Sequence, residues 1–191
     1  MIDKEALHIQ YSFAEYVRFE RDAREKHEFV RGMILAMAGG TLEHSALIVA
    51  VTSALSGQLR GRPCRVLESN ARIRIAATGN AYYPDGSVVC GSLQTDPEDK
   101  LSLANPTVLV EVLSPSTAAY DLTDKLADYQ RIPSLRHIVH VFHDEQRVDV
   151  WTRLENEWAC SSHRPGESAA LTAIGCTLDV TELYRDPLSP S

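Results

Sequence analysis

Glu111 is the residue whose type least suits its neighbours. It stands in Thr107-Val108-Leu109-Val110-Glu111-Val112-Leu113, a run otherwise almost wholly apolar. Such a run predicts a central strand covered on both faces. An unpaired charge there would be strongly destabilising, so Glu111 must be paired, protonated or metal-bound. A buried salt bridge is the ordinary explanation and a metal ligand the functional one. Asp85 is the second carboxylate. Pro84 restricts Tyr83 to extended geometry, so Tyr82-Tyr83-Pro84-Asp85-Gly86 delivers Asp85 at the start of a strand. An Asp before Gly is also a common turn former. Two carboxylates on adjacent strand ends make an oxygen-rich site that suits a hard divalent cation such as Mg2+.

Asp121, Lys125 and Tyr129 follow at steps of four and would share one helix face. Asp121 and Lys125 alone would be a surface ion pair worth about 0.3–0.5 kcal/mol. Lys125 could instead reach back to Glu111, where an ammonium beside a metal orients water and stabilises charge on a transferring phosphoryl group. Glu28, next to His27, and His44, near a helix start, are candidates for the same cavity. A histidine in such a place is more often a capping or packing residue. Arg60, Arg62, Arg65, Arg72 and Arg74 fall within fifteen residues, opposed only by Glu68. They read equally as a face that contacts phosphates or as a solvated edge strand that resists aggregation.

The elements that must position these groups are legible in outline. Ser12 and Glu15 fit a capping box for a helix from Ser12 to about Glu20. Glu28 to Arg31, Gly32 and Met33 to Ala38 read as a hairpin. Gly39-Gly40 precedes a helix starting near Thr41 or Glu43, with Leu47, Ala50, Val51, Ala54, Leu55 and Leu59 at helical spacing. Val66-Leu67, Arg72 to Ala76 and Gly86 to Val89 are short strands, the second half-solvated by its alternation. Gln94 to Ala104 is acidic and polar and reads as a loop. After the Glu111 strand, ended by Pro115, comes a helix from Asp121 to Gln130, stopped before Pro133. His137 to Phe142, Arg147 to Thr152 and Trp158 to Ser161 form an antiparallel meander. This order predicts an α/β (α+β) fold on one mixed, twisted sheet flanked by helices.

Composition bounds the rest. The chain has 191 residues, 44% of them apolar and 24% charged, with a formal charge of -7. Disorder, collagen-like repeats and linker-like polymers are excluded. No apolar run approaches the ~20 residues of a membrane span. A charge of this sign argues against bulk attraction to nucleic acid or membrane, though not against a local basic patch. Cys64, Cys90, Cys160 and Cys176 form no CxxC pair and read as reduced, inert residues of a cytoplasmic protein. No signal peptide is visible. One domain over 1–191, with a flexible tail from about 186, is expected. No GxSxG elbow, Walker loop or GxGxxG occurs, so no nucleotide cofactor is expected. His137, His140 and His143 do not share one strand face, which disfavours a three-histidine metal site.

Taken together, Tyr83-Pro84-Asp85, Asn105-Pro106, Val110-Glu111-Val112-Leu113-Ser114-Pro115-Ser116-Thr117, and Asp121, Lys125 and Tyr129 resemble a restriction endonuclease-like family of the PD-(D/E)XK nuclease superfamily, expanded in cyanobacteria. Lys26, Glu28, Gly32, Met37-Ala38-Gly39, His44 and Ile132-Pro133-Ser134-Leu135 are similar to its pattern too. The resemblance spans roughly Phe13 to Trp151. It implies a restriction-endonuclease-like core and binding of Mg2+ or Mn2+ by Asp85 and Glu111, with the Val112 carbonyl as a third ligand. The superfamily's usual lysine, two residues after the acid, is Leu113 here, and the resemblance places it instead at Lys125. Glu28 matches the N-terminal acidic residue, a metal ligand or water-positioning group. His44, Asp121 and Tyr129 are accessory candidates.

The expected function is metal-dependent hydrolysis of DNA phosphodiesters, with Asp85, Glu111, Lys125 and Glu28 at the site and the arginine group positioning the backbone. A homodimer would supply two sites for two strands. The alternatives are a non-catalytic DNA-binding or protein-interaction module on the same scaffold, or a metal-dependent hydrolase of another phosphate ester.

Overall fold

The computed structural model describes residues 10–37, 39–114, 118–155, 157–186 and 188. Ala38 and the Pro115-Ser116-Thr117 motif lie outside these, as do the first nine residues and most of the tail. In chain order the elements are α1 (Phe13–Asp22), β1 (His27–Val30), β2 (Met33–Ala36), α2 (Leu42–Gln58), β3 (Cys64–Glu68), β4 (Arg72–Ile75), β5 (Asn80–Tyr82), β6 (Gly86–Cys90), β7 (Ser102–Leu103) and β8 (Val108–Leu113). Then α3 (Ala118–Tyr120) runs through a π-helical turn (Asp121–Lys125) into α4 (Leu126–Tyr129). β9 (His137–Phe142), β10 (Val148–Arg153), β11 (Trp158–His163), β12 (Ser168–Leu171), β13 (Cys176–Asp179) and α5 (Val180–Leu183) complete the described chain.

The fold is α+β, with a mixed central sheet flanked by helices in a restriction-endonuclease-like core. That sheet has the order β11-β10-β9-β8-β6-β3. β8 and β9 are parallel, with Glu111 opposite His140, and the other pairings are antiparallel. Alternation divides its residues between two layers. Val108, Val110 and Val112 pack with Val139, Val141 and the Leu47, Val51 and Leu55 face of α2. Leu109 and Ile138 point the other way, onto Leu126, Tyr129 and the second sheet, β2-β1-β5-β4-β7. Glu111 shares the parity of Leu109, so it faces the π turn and the second sheet.

Local signals explain the elements nearest the site. The Ser12–Glu15 capping box is formed, with the Ser12 amide donating to Glu15 at 2.7 Å. The β1–β2 hairpin turns on Arg31 and Gly32, both at positive φ (51° and 82°), which suits a tight hairpin and favours glycine at the second position. Thr41 caps α2 through its hydroxyl. A Cβ on Gly86 would stand 3.1 Å from Thr52 Cγ2, so glycine lets α2 lie close over the strand that starts beside Asp85.

Several expectations are corrected. β4 is not half-solvated: Arg72 is buried against Asp99, and Arg74 pairs with Asp96 at 3.7 Å. Those aspartates lie in the 94–104 stretch expected to be a plain loop. It instead contributes β7, parallel to β4, and buries its acids as partners of the two arginines. Cys64 and Cys90, expected to be reduced, are joined by a disulfide across the β3–β6 pair. Their direct cross-strand register brings the two Cα atoms to 4.0 Å. β5, β12, β13 and α5 carry no strong pattern of their own and were not anticipated. Among the described residues no helix is long and apolar enough to cross a membrane.

Candidate functional site

Five separate stretches converge on one cavity of about 270 Å3. β1 brings Glu28, α2 brings His44, the β5–β6 corner brings Asp85, β8 brings Glu111 and Val112, and the π turn brings Asp121 and Lys125. Every expected site residue of that group is therefore gathered in one place, and Tyr129 stands just behind it.

Lys125 is the centre of charge. Its Nζ lies 3.0 Å from Glu28 Oε1, 3.1 Å from Glu111 Oε1 and 3.4 Å from Asp121 Oδ1, all with buried side chains. Tyr129 donates its hydroxyl to Glu111 Oε1 at 2.6 Å. A π turn widens the helix by one residue, a device common at functional sites. Here it carries both Asp121 and Lys125 inward, so the i, i+4 pair read from spacing is buried and not on the surface. Asp85 is held differently. Its Oδ2 accepts the Val112 amide at 2.8 Å and lies 3.4 Å from His44 Nε2, which is 2.9 Å from the Val112 carbonyl oxygen. His44 thus ties the two strand ends together.

Burial drives the electrostatics. It pushes the Glu111 carboxyl up to about 8; the Lys125 ammonium opposes this, and Asp121 and Asp85 add to it. Burial alone would lower Lys125, but Glu111, Glu28 and Asp121 override it and hold the ammonium well above the ordinary lysine value. The Asp85 carboxylate, accepting from the His44 ring, raises His44 against the opposing effect of burial. His140, the register neighbour of Glu111, is pushed down to about 4 by burial, so it adds no positive charge near neutral pH.

The Glu111 shift has a measurable consequence. Its folded pKa lies above the ordinary value of 4.5. Between the two values the folded chain holds a proton that the unfolded chain has released. Stability therefore falls as pH rises through that window and levels off above about 8. Glu111→Gln removes this contribution. Urea unfolding from pH 5 to 9 should show a difference of at most about 1.4 kcal/mol per pH unit between variant and wild type. Parallel profiles would show that Glu111 titrates normally.

The oxygen donors of Asp85, Glu111 and the Val112 carbonyl suit a hard cation, since Mg2+ commonly takes one or two carboxylates and keeps several waters. Glu28 Oε1 receives no well-directed hydrogen bond and is a further oxygen of the same kind. Their present grouping is a different matter. Among the described residues no three of His, Cys, Asp and Glu are placed to hold a metal ion. Lys125 stands among the acids, and His44 and the Val112 amide occupy Val112 and Asp85. The donor chemistry fits a divalent ion, while the placement is that of a site closed on its own lysine.

The arginines do not form one face. Arg72 is interior, bonded to Ser102 Oγ at 2.8 Å and the Tyr83 hydroxyl at 3.0 Å as well as to Asp99, so the expectation that it contacts DNA is corrected. Arg74 packs over the Phe13 ring at 3.7 Å and bonds the Gly79 carbonyl. Arg60, Arg62 and Arg65 lie elsewhere, beside Cys64. Sequence reasoning missed Tyr120, which lines the site cavity. Its only signal was its place one residue before Asp121.

Comparison with known proteins identifies relatives of this chain. A protein of Synechocystis sp. described as uncharacterized is 34% identical over 175 residues, covering 90% of each chain. A second from the same organism is 28% identical over 158 residues, covering 83% of this chain and 89% of its own. The crystal structure of a protein from Anabaena variabilis, described as "a putative nuclease belonging to DUF820", superposes with a TM-score of 0.71 at 18% identity, covering 90% of this chain and 96% of that one. At that identity the likeness shows the fold. A family model described as "Uma2: Putative restriction endonuclease" matches residues 13–181. With that span matched, and with the mixed sheet and carboxylate-lined cavity just described, the chain belongs to this PD-(D/E)XK-like restriction-endonuclease family.

Proposed function

We propose that this chain is a metal-dependent endonuclease acting on DNA phosphodiester bonds. The observation that supports this reading is the meeting of Glu28, Asp85, Glu111 and Lys125 in one cavity from four separate elements. Asp85, Glu111 and the Val112 carbonyl would hold the ion. When bound, Mg2+ or Mn2+ supplies polarisation of the scissile phosphate and a bound water of lowered pKa. Lys125 donates hydrogen bonds to the attacking water or to the phosphoryl oxygens, which gain charge in the transition state. Glu28 accepts a proton or positions the water. Tyr129 fixes Glu111, and His44 fixes Val112 and Asp85. A homodimer in the cytoplasm would present two such sites to two strands.

A second reading is a non-catalytic DNA-binding or protein-interaction module on the nuclease scaffold. Lys125 already neutralises the acids, and no three ligands among the described residues are placed for an ion. As the site stands, this observation weighs toward the second reading, and the catalytic one requires Lys125 to release Glu111. Cleavage of plasmid and linear DNA with Mg2+ or Mn2+ separates them. The endonuclease reading expects cleavage by wild type and a loss of about a hundredfold or more in Asp85→Ala, Glu111→Ala and Lys125→Ala. Equal residual cleavage in all four proteins, or none in wild type, overturns it.

A further inference from the structure

Arg60, Arg62 and Arg65 border a second cavity, of about 280 Å3, with Ser56 and Cys64. It lies at the opposite end of the central layer from the carboxylates. His44 and Ser56 are twelve residues apart on α2, which separates them by about 18 Å along the helix axis. β6 spans the same interval. It starts beside Asp85 and ends at Cys90, whose disulfide partner Cys64 lines the second cavity.

We infer that this cleft is a binding site for a phosphate group, separate from the Asp85–Glu111 site and independent of whether that site is catalytic. Three arginines line it together, and none of them forms an ion pair among the described residues, whereas Arg72 and Arg74, next in the same basic stretch, are each paired with an aspartate. On a chain of charge -7 an uncompensated group of this kind calls for an external anion. Edge strands use basic residues to resist pairing, and β3 is an edge strand. That accounts for Arg65 alone, because Arg60 and Arg62 precede the strand. The cleft is also partly pre-formed. Arg62 Nη1 donates to the Ile174 carbonyl at 2.7 Å and the Gly175 carbonyl at 3.2 Å. Gly175 sits at φ 57°, and a Cβ there would stand 3.1 Å from Arg62 Nη1, so glycine is what admits the guanidinium. The Cys64–Cys90 disulfide ties one wall to the central sheet. Planar guanidinium forks match phosphate oxygens in paired hydrogen bonds, and Ser56 adds a hydroxyl. A monoanionic carboxylate would leave most of the charge unbalanced, whereas a phosphate ester end or pyrophosphate carries enough. The phosphate could belong to a nucleic acid backbone or to a free phosphorylated molecule.

Calorimetric titration of the full chain with inorganic pyrophosphate, at low salt and without divalent ions, tests the site. Wild type should bind saturably. Arg60→Ala/Arg65→Ala should bind at least tenfold more weakly while keeping the wild-type circular dichroism, since both side chains are exposed and unpaired. Arg60→Lys/Arg65→Lys, which keeps the charge and loses the forks, should fall between them. Asp85→Asn/Glu111→Gln should match wild type, so failure of the nuclease reading leaves this result intact. No saturable heat, or equal affinity in the double alanine variant, overturns the inference. Displacement of pyrophosphate by a short duplex DNA assigns the phosphate to nucleic acid, and the absence of displacement assigns it to a free ligand; both uphold the site.

Discussion

Lys125→Met is expected to destabilise the fold by about 3–5 kcal/mol, the range for removing one partner of a buried ion pair. Methionine keeps the length and apolar stem of the side chain, so the loss isolates the ammonium. Glu28, Glu111 and Asp121 would be left together without their shared cation at 3.0, 3.1 and 3.4 Å. Their first response is to take up protons, as the Glu111 carboxyl at about 8 is already disposed to do. The deficit should therefore be largest above pH 8 and shrink in acid. Urea unfolding at pH 9 and pH 5 measures it. Adding Glu111→Gln should recover part of the loss, because the two side chains act on each other and their effects do not add. A Lys125→Met protein within 0.5 kcal/mol of wild type at pH 9 would show that the ammonium does not organise the site.

The same variant bears on the two functional readings. An ion that binds the folded chain stabilises it by mass action. If Asp85 and Glu111 can hold a divalent ion, the ammonium is its competitor, and Mg2+ should raise the melting temperature of Lys125→Met more than that of wild type. If the acids cannot hold an ion even then, Mg2+ should leave both proteins unchanged. This readout needs no catalysis, so it separates loss of metal binding from loss of Lys125 as a charge stabiliser.

How much of this was legible in the sequence depended on whether a residue's partner was local. Glu111 could be singled out because a carboxylate in an apolar strand violates a one-dimensional pattern, and Lys125 because it lies at helical spacing from Asp121. Their meeting with Glu28 could not be read from pattern, because β1 reaches the cavity through a different sheet. The family resemblance supplied that link. The arginines misled for the same reason in reverse. Five neighbours in sequence suggested one face, but Arg72 and Arg74 alternate with Ile73 and Ile75 on a strand whose polar side is covered by the 94–104 segment. Acidic and basic stretches each looked solvated alone, and only their pairing buries both. The disulfide was missed because the cysteines' spacing of twenty-six residues carries no signal until the β3–β6 register sets Cys64 opposite Cys90.

That covered strand carries the second large effect. Arg72→Met is expected to cost about 3–5 kcal/mol, lowering the melting temperature by about 10 °C for a chain of this size. The Arg72 guanidinium is bonded to Asp99, Ser102 and Tyr83 and packs 5.2 Å from the Tyr16 ring centroid, so it joins α1, β4, β7 and the corner that leads to Asp85. Burial pushes the Asp99 carboxyl up, but the Ser102 hydroxyl, Arg72 and the Leu101 amide together hold it below the usual aspartate range. A depressed carboxylate contributes stability that is present above its unfolded pKa and lost as pH falls through its folded one. The gap between Arg72→Met and wild type should accordingly be widest near neutral pH and narrow below about pH 4, where Asp99 is protonated in the variant and its unfolded chain alike. Arg72→Met/Asp99→Leu should regain much of the loss, since replacing both members of a buried pair by apolar residues is far less damaging than removing one. A double variant as unstable as the single one would mean that Arg72 acts through Tyr16 and Tyr83, with Asp99 a bystander. Because Tyr83 stands two residues before Asp85, the single variant should also loosen the corner that aims this carboxylate at the cavity, and hydrogen exchange of the Val112 amide, which donates to Asp85 at 2.8 Å, should accelerate with it.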